Sequence, residues 1–193
     1  MAAARSPLRS LVLRGCGAVA LPLLLSACSW SWFGLNSSAA APHAKTHGTG
    51  SLSVASAREF VYLPARDGHV SPNRIENTAM TGIVMKDDIN QIVRNSVATS
   101  LRVAGFRLDD NRRVLSGSIE TFTVDDTRSP ALWILKMRYV VTDAATRKVM
   151  FSTTRTVKQK SPKFTSSTIA IEDTVKANVD TLIGDPGFIK AVN

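Results

Sequence analysis

Sulfur chemistry is nearly missing from this chain. Its 193 residues contain two cysteines, Cys16 and Cys28, both near the N-terminus. A domain built from the remainder has no disulfide, no thiolate nucleophile and no sulfur metal ligand, so its own core must hold it together. Aromatic residues are only 6% of the chain, and the basic residues form no long block and do not alternate with aromatics. A net charge of +9 therefore does not describe a nucleic-acid surface. No stretch of about 20 consecutive apolar residues occurs, as a transmembrane helix would need. Gly-rich phosphate loops and the H-E-x-x-H and G-x-S-x-G patterns are also absent. These absences predict a protein that is not an enzyme and needs neither cofactor nor metal.

What is present begins at the N-terminus. Arg5, Arg9 and Arg14 precede an apolar run that includes Ala18-Val19-Ala20-Leu21-Pro22-Leu23-Leu24-Leu25, and no acidic residue interrupts it. A basic region, a short apolar stretch and small residues before a cut describe a secretory signal peptide. The run closes on Leu25-Ser26-Ala27-Cys28, which resembles the lipobox of bacterial lipoproteins. That resemblance implies that residues 1–27 are removed and that Cys28 carries lipid (palmitate) as the first residue of the mature chain. Loss of the leader lowers the net charge to +6, a value suited to solubility or mild attraction to anionic polymers. In such lipoproteins an Asp after the lipidated cysteine tends to retain the protein in the inner membrane. The residue here is Ser29, which implies delivery to the outer membrane with the domain facing the periplasm.

Residues 28–55 are rich in Ser, Ala, Gly and Thr and read as a tether, whose flexible-coil span is about 30 Å. Trp30, Trp32 and Phe33 follow the anchor and suit the headgroup level of a bilayer. His43 and His47 lack a nearby carboxylate, so no metal site is expected.

Residues 56–193 are long enough for one domain. Arg58–Leu63 reads as a first strand stopped by Pro64, and 64–86 as a long irregular connection. From Asp87 or Asp88, the spacing of Ile89, Ile92, Val93, Val97, Leu101 and Ala104 predicts a helix ending at Gly105. Arg113–Val124 is the next strand, its alternation slipping near Gly117 as at a bulge or a close backbone approach. In Leu132–Thr142, Trp133, Leu135, Met137, Tyr139 and Val141 share one face, and Lys136 and Arg138 the other. Lys148–Lys158 completes a hairpin, and Lys158, Lys160 and Lys163 surround Pro162 in a basic loop. A second helix, capped by Ser167 or Thr168, carries Ile171, Val175, Val179, Leu182 and Ile183. A short last turn follows Asp185-Pro186. The expected fold is α+β: a two-layer sandwich with one mixed sheet of about four strands and two helices on one face, in the order β-α-β-β-β-α.

Asp87-Asp88, Asp109-Asp110 and Asp125-Asp126 are acid pairs at a helix start, a turn and a loop, where capping and turn roles account for them. His69 has no nucleophile partner in sequence. Trp133, Lys136 and Arg138 form the candidate interaction surface.

The lipobox, the helix ending in Val103-Ala104-Gly105-Phe106 and the strand Leu115-Ser116-Gly117-Ser118-Ile119-Glu120-Thr121-Phe122 together resemble the YajG-type lipoproteins. They are also similar to the PqiC-like auxiliary lipoproteins of ABC-type lipid transport systems. The resemblance covers about forty residues of the domain and implies an α+β periplasmic domain tethered to the outer membrane, with no catalytic residues. The expected role is a non-enzymatic interaction or scaffold module contacting an envelope protein. The alternative is a transport accessory that contacts lipid directly, which needs an apolar groove between sheet and helices.

Overall fold

The computed structural model describes residues 49–78 and 81–193. The leader, Cys28, Ser29, Trp30, Trp32, Phe33, His43 and His47 lie outside the described residues.

Three long strands dominate: β5 (Arg113–Asp125), β6 (Ala131–Asp143) and β7 (Val149–Ser161), each of 13 residues and paired antiparallel in that order. On its other side β5 is paired, segment by segment, with three short parallel strands. These are β1 (Ser53–Val54), β2 (Phe60–Tyr62) and β3 (Arg74–Asn77), meeting β5 at Val114–Leu115, Gly117–Ile119 and Thr123–Val124. A two-residue β4 (Ile83–Val84) pairs antiparallel with β3. Helices α1 (Leu63–Arg66), α2 (Ile89–Val103), α3 (Ser167–Ile183) and α4 (Pro186–Val192) complete the described fold.

The expected sheet of four strands with two helices is thereby corrected to a seven-stranded mixed sheet with four helices, still α+β. The expected first strand, Arg58–Leu63, is shortened to Phe60–Tyr62 because local chemistry turns the chain on either side of it. The Glu59 carboxylate accepts from the Ser56 backbone N–H (3.2 Å) and hydroxyl (3.0 Å), winding Ala57–Glu59 into one 3₁₀ turn. Pro64 then supplies the preset φ for the start of α1. The expected loop at 64–86 contains α1, β3 and β4. The fold also begins before residue 56, for Leu52 is fully buried.

The helices form because each has one apolar stripe to bury. On α2 the stripe is Ile89, Val93, Val97 and Leu101; on α3 it is Ile171, Val175, Val179 and Leu182. Both close on Leu115, Ile119, Phe122 and Val124 of β5 and on Leu135, Met137, Tyr139 and Val141 of β6. Asp88 and Ser166 occupy the N-cap positions of α2 and α3, the latter one residue before the expected cap. Gly105, at φ +98°, ends α2 in the left-handed conformation that glycine adopts without strain.

The slip in β5 has two parts. The extra residue is Glu120, which the register passes over between Ile119 and Thr121, so that Ile119 and Phe122 both face the core. Gly117 marks a close approach instead. A Cβ there would lie 2.9 Å from the Arg138 carbonyl and 3.3 Å from the Phe60 ring. Because the backbone oxygen cannot rotate away, Gly117→Ala should destabilise the domain by about 1–3 kcal/mol. Urea unfolding would measure this, and an unchanged midpoint would refute the packing argument.

Candidate functional site

The pleat of β6 sends alternate residues to opposite faces, and the two faces have different fates. Trp133 points under the helices: it is 3% exposed, its indole N–H donates to the Ser161 hydroxyl at 3.0 Å, and its ring meets Phe122 edge-on at 6.1 Å. Lys136 and Arg138 point the other way, into solvent. The three residues grouped in sequence as one surface are therefore divided, with Trp133 in the core.

The open face extends beyond them. Across β6 and β7 the register aligns Leu132 with Lys160, Ile134 with Lys158, Lys136 with Thr156 and Arg138 with Thr154. Lys160, expected in a loop, is a strand residue exposed on this face beside Lys158, the end of the expected strand, and Ser116, Ser118, Thr121 and Thr123 continue the face on β5. Lys136 is neutralised by Glu120 at 2.9 Å. Arg138, Lys158 and Lys160 make no ion pair among the described residues. The result is a hydroxyl-lined, cationic sheet face beside the outer edge of β7, which pairs with no other described strand. Lysines along such an edge oppose indiscriminate strand addition and favour an acidic counterpart. Lys158 and Lys160 were visible in sequence; their membership of this surface depended on β7 continuing to Ser161.

Carboxylates elsewhere serve turns. Asp110 is held below the ordinary carboxylate range chiefly by the Arg112 backbone N–H (2.8 Å), and Asp125 by the Thr127 hydroxyl. Asp143 is likewise lowered, mainly by the Thr146 backbone N–H, with Arg113 adding to it. Their ionised forms are the stabilised ones, which suits turn acceptors and not proton donors. Burial pushes the Tyr62 phenol up to about 12, with Glu76 adding to the shift, while its O–H donates to the Arg74 carbonyl at 3.0 Å. Burial raises Tyr139 further.

His69 borders a cleft of about 380 Å³ with Arg74, Glu76 and Asn77, and no hydroxyl or thiol lines it. Among the described residues no group of three or more His, Cys, Asp or Glu side chains is placed to hold a metal. A further cavity, about 640 Å³, is an open groove on the outer side of α2 and α3. Ile92 and Val103 share it with Ser96, Thr99, Glu172 and Lys176. The layer between sheet and helices is filled by side chains at or near zero exposure. No described helix is long and apolar enough to cross a membrane.

No protein-family model matches the chain, and no curated protein matches it. Among solved structures, it is similar to a Xanthomonas campestris protein described as DUF330 (16% identity, TM-score 0.48, covering 72% of this chain and 82% of that one). The PelC dodecamer from Paraburkholderia phytofirmans gives 14% identity, a TM-score of 0.38 and coverages of 70% and 86%. Lipoprotein GNA1162 from Neisseria meningitidis gives 13%, 0.36, 71% and 100%. Scores of this size establish neither family nor role and do not decide between YajG-type and PqiC-type proteins.

Proposed function

We propose that this chain is a non-enzymatic, lipid-anchored envelope protein of the outer membrane that faces the periplasm and binds an acidic protein partner through the open sheet face. The observation that carries the reading is the set of cations Arg138, Lys158 and Lys160, without an ion-pair partner among the described residues, beside the edge of β7 that no described strand pairs. An acidic strand or loop laid there gains both backbone partners and opposite charge. Leu25–Cys28 and Ser29 support the anchor and its destination. The layer between sheet and helices is filled by fully buried side chains, which speaks against direct handling of lipid there.

The test is site-specific photo-crosslinking from Thr156, exposed between the cations, in the full chain in cells. A discrete crosslinked species should form and should disappear in Lys158→Glu/Lys160→Glu. Absence of any species, or one indifferent to charge reversal, would remove the reading.

A further inference from the structure

A second cationic surface lies at one end of the sheet, where the chain arriving from the N-terminus joins the domain. Gly50 and Ser51 are clamped there between two other parts of the molecule. The Ser51 N–H donates to the Val192 carbonyl (3.0 Å), the Arg107 N–H to the Gly50 carbonyl (3.1 Å), and the Ser51 hydroxyl to Asp110 (3.1 Å). Arg107 and Arg112 line a cleft of about 490 Å³ with Thr49, Gly50 and the terminal Asn193. Beside them the β6–β7 turn is tied down by the Ala144 N–H donating to the Arg112 carbonyl at 2.9 Å. Every residue from 144 to 150 is exposed, including Arg147, Lys148, Val149 and Met150; the last two are 55% and 43% exposed.

The acidic side chains near this end are Asp109, Asp110 and Asp143. Asp110 is engaged by Arg112 and Ser51, and Asp143 by Arg113. Arg107, Arg147 and Lys148 have no ion-pair partner among the described residues. Basic residues beside exposed aliphatic and thioether side chains are the combination that seats on an anionic lipid surface: the charges attract the headgroups, and the apolar tips enter the boundary.

We infer that this end of the domain docks on anionic phospholipid headgroups of the membrane that holds the anchor. The inference rests on the lipid-anchor reading. Only 20 residues, 29–48, separate Cys28 from Thr49, a span of at most about 75 Å even when fully extended, and Thr49 lies on this surface. The chain coming from the anchor thus enters the domain at its cationic end. With that end against the membrane, the far ends of β6 and β7, including Lys158 and Lys160, project away from it.

The experiment uses the mature protein purified from membranes and bound to phosphatidylcholine vesicles with or without phosphatidylglycerol. The vesicles also carry a nitroxide-headgroup lipid as quencher. A fluorophore is placed either at Met150→Cys or at Phe164→Cys. Phe164 is 97% exposed just beyond the other end of β7, about 40 Å away at about 3.3 Å per strand residue. Quenching is expected at position 150 only, on the anionic vesicles only, and should weaken as salt is raised. Arg147→Gln/Lys148→Gln should reduce the contact equilibrium about 25-fold, about fivefold for each charge.

Equal quenching at both positions, none at either, or quenching at 150 without anionic lipid would overturn the inference. So would a probe at 150 that responds to soluble polyglutamate but ignores anionic vesicles, which would assign the surface to an acidic protein. Failure of the anchor reading shows separately, in the mass of the purified chain, as a free Cys28 without lipid.

Discussion

Cys28→Ala should release the protein from the membrane altogether. Each methylene of an acyl chain buried in a bilayer contributes about 0.8 kcal/mol, and a single chain gives only reversible binding unless a second attachment adds to it. The cationic end supplies attraction that salt screens over about 8–10 Å, so it cannot hold the domain alone in a high-salt wash. The variant should incorporate no radiolabelled palmitate and should appear wholly in the soluble fraction after that wash, while the unmodified chain stays with the membrane. Palmitate labelling that survives the substitution would refute Cys28 as the attachment point. A labelled wild-type chain that nonetheless washes off would refute the lipid as the main anchor.

The largest effect on stability is expected at Asn178, a polar residue on the buried stripe of α3. Its side-chain oxygen accepts from the Tyr139 hydroxyl at 2.9 Å, and its amide donates to the Leu135 and Arg155 carbonyls, each at 3.2 Å. Asn178 and Tyr139 are both fully buried, and among the described residues the other hydrogen-bond partner of the phenol is the Met137 sulfur at 3.6 Å. Asn178→Leu fills similar space but leaves the hydroxyl without its acceptor and removes a donor from both carbonyls. Buried groups stripped of partners cost about 1–3 kcal/mol each, so a loss of about 3–5 kcal/mol is expected. For a domain of this size that lowers Tm by roughly 10–15 °C. Tyr139→Phe should cost less, because it orphans a single acceptor. The double variant should fall short of the sum of the two. Thermal unfolding decides the matter, and a Tm drop of under 3 °C for Asn178→Leu would show that this network is not what holds α3 to the sheet.

Asn178 also illustrates what periodicity conceals. Ile171, Val175, Val179 and Leu182 announce α3 through their spacing alone, since a helix surrounded by water and core repeats its burial every 3.6 residues. Thr174 and Asn178 lie on the same buried side yet look in sequence like interruptions. Their partners, Ala170 in the preceding turn and Tyr139 on β6, become apparent only when the layers are stacked. In β6 the two faces were legible residue by residue, because alternation is a local property of a strand. Of the short strands beside β5, Phe60–Tyr62 lay within the expected strand Arg58–Leu63, whereas Ser53–Val54 and Arg74–Asn77 carried no such signal. Two to four residues cannot establish a period, and Ser53–Val54, Phe60–Tyr62 and Arg74–Asn77 are extended because β5 offers them an edge of unpaired backbone.

What the sequence carried by itself is what short stretches encode: the lipobox-like pattern Leu25–Cys28 on which the proposed anchor rests, the apolar stripes of α2 and α3, and the in-and-out rhythm of β6. Each is a pattern within about fifteen consecutive residues, read by local geometry or local recognition. The tertiary structure decided which charges act together. Gly50, Arg107, Arg112, Arg147 and Met150 are scattered over a hundred residues of chain, and they share one end of the sheet because the end of β6 lies between the start of β5 and the start of β7. Pairing of strand ends is a long-range outcome of burying a common core, and no local pattern contains it.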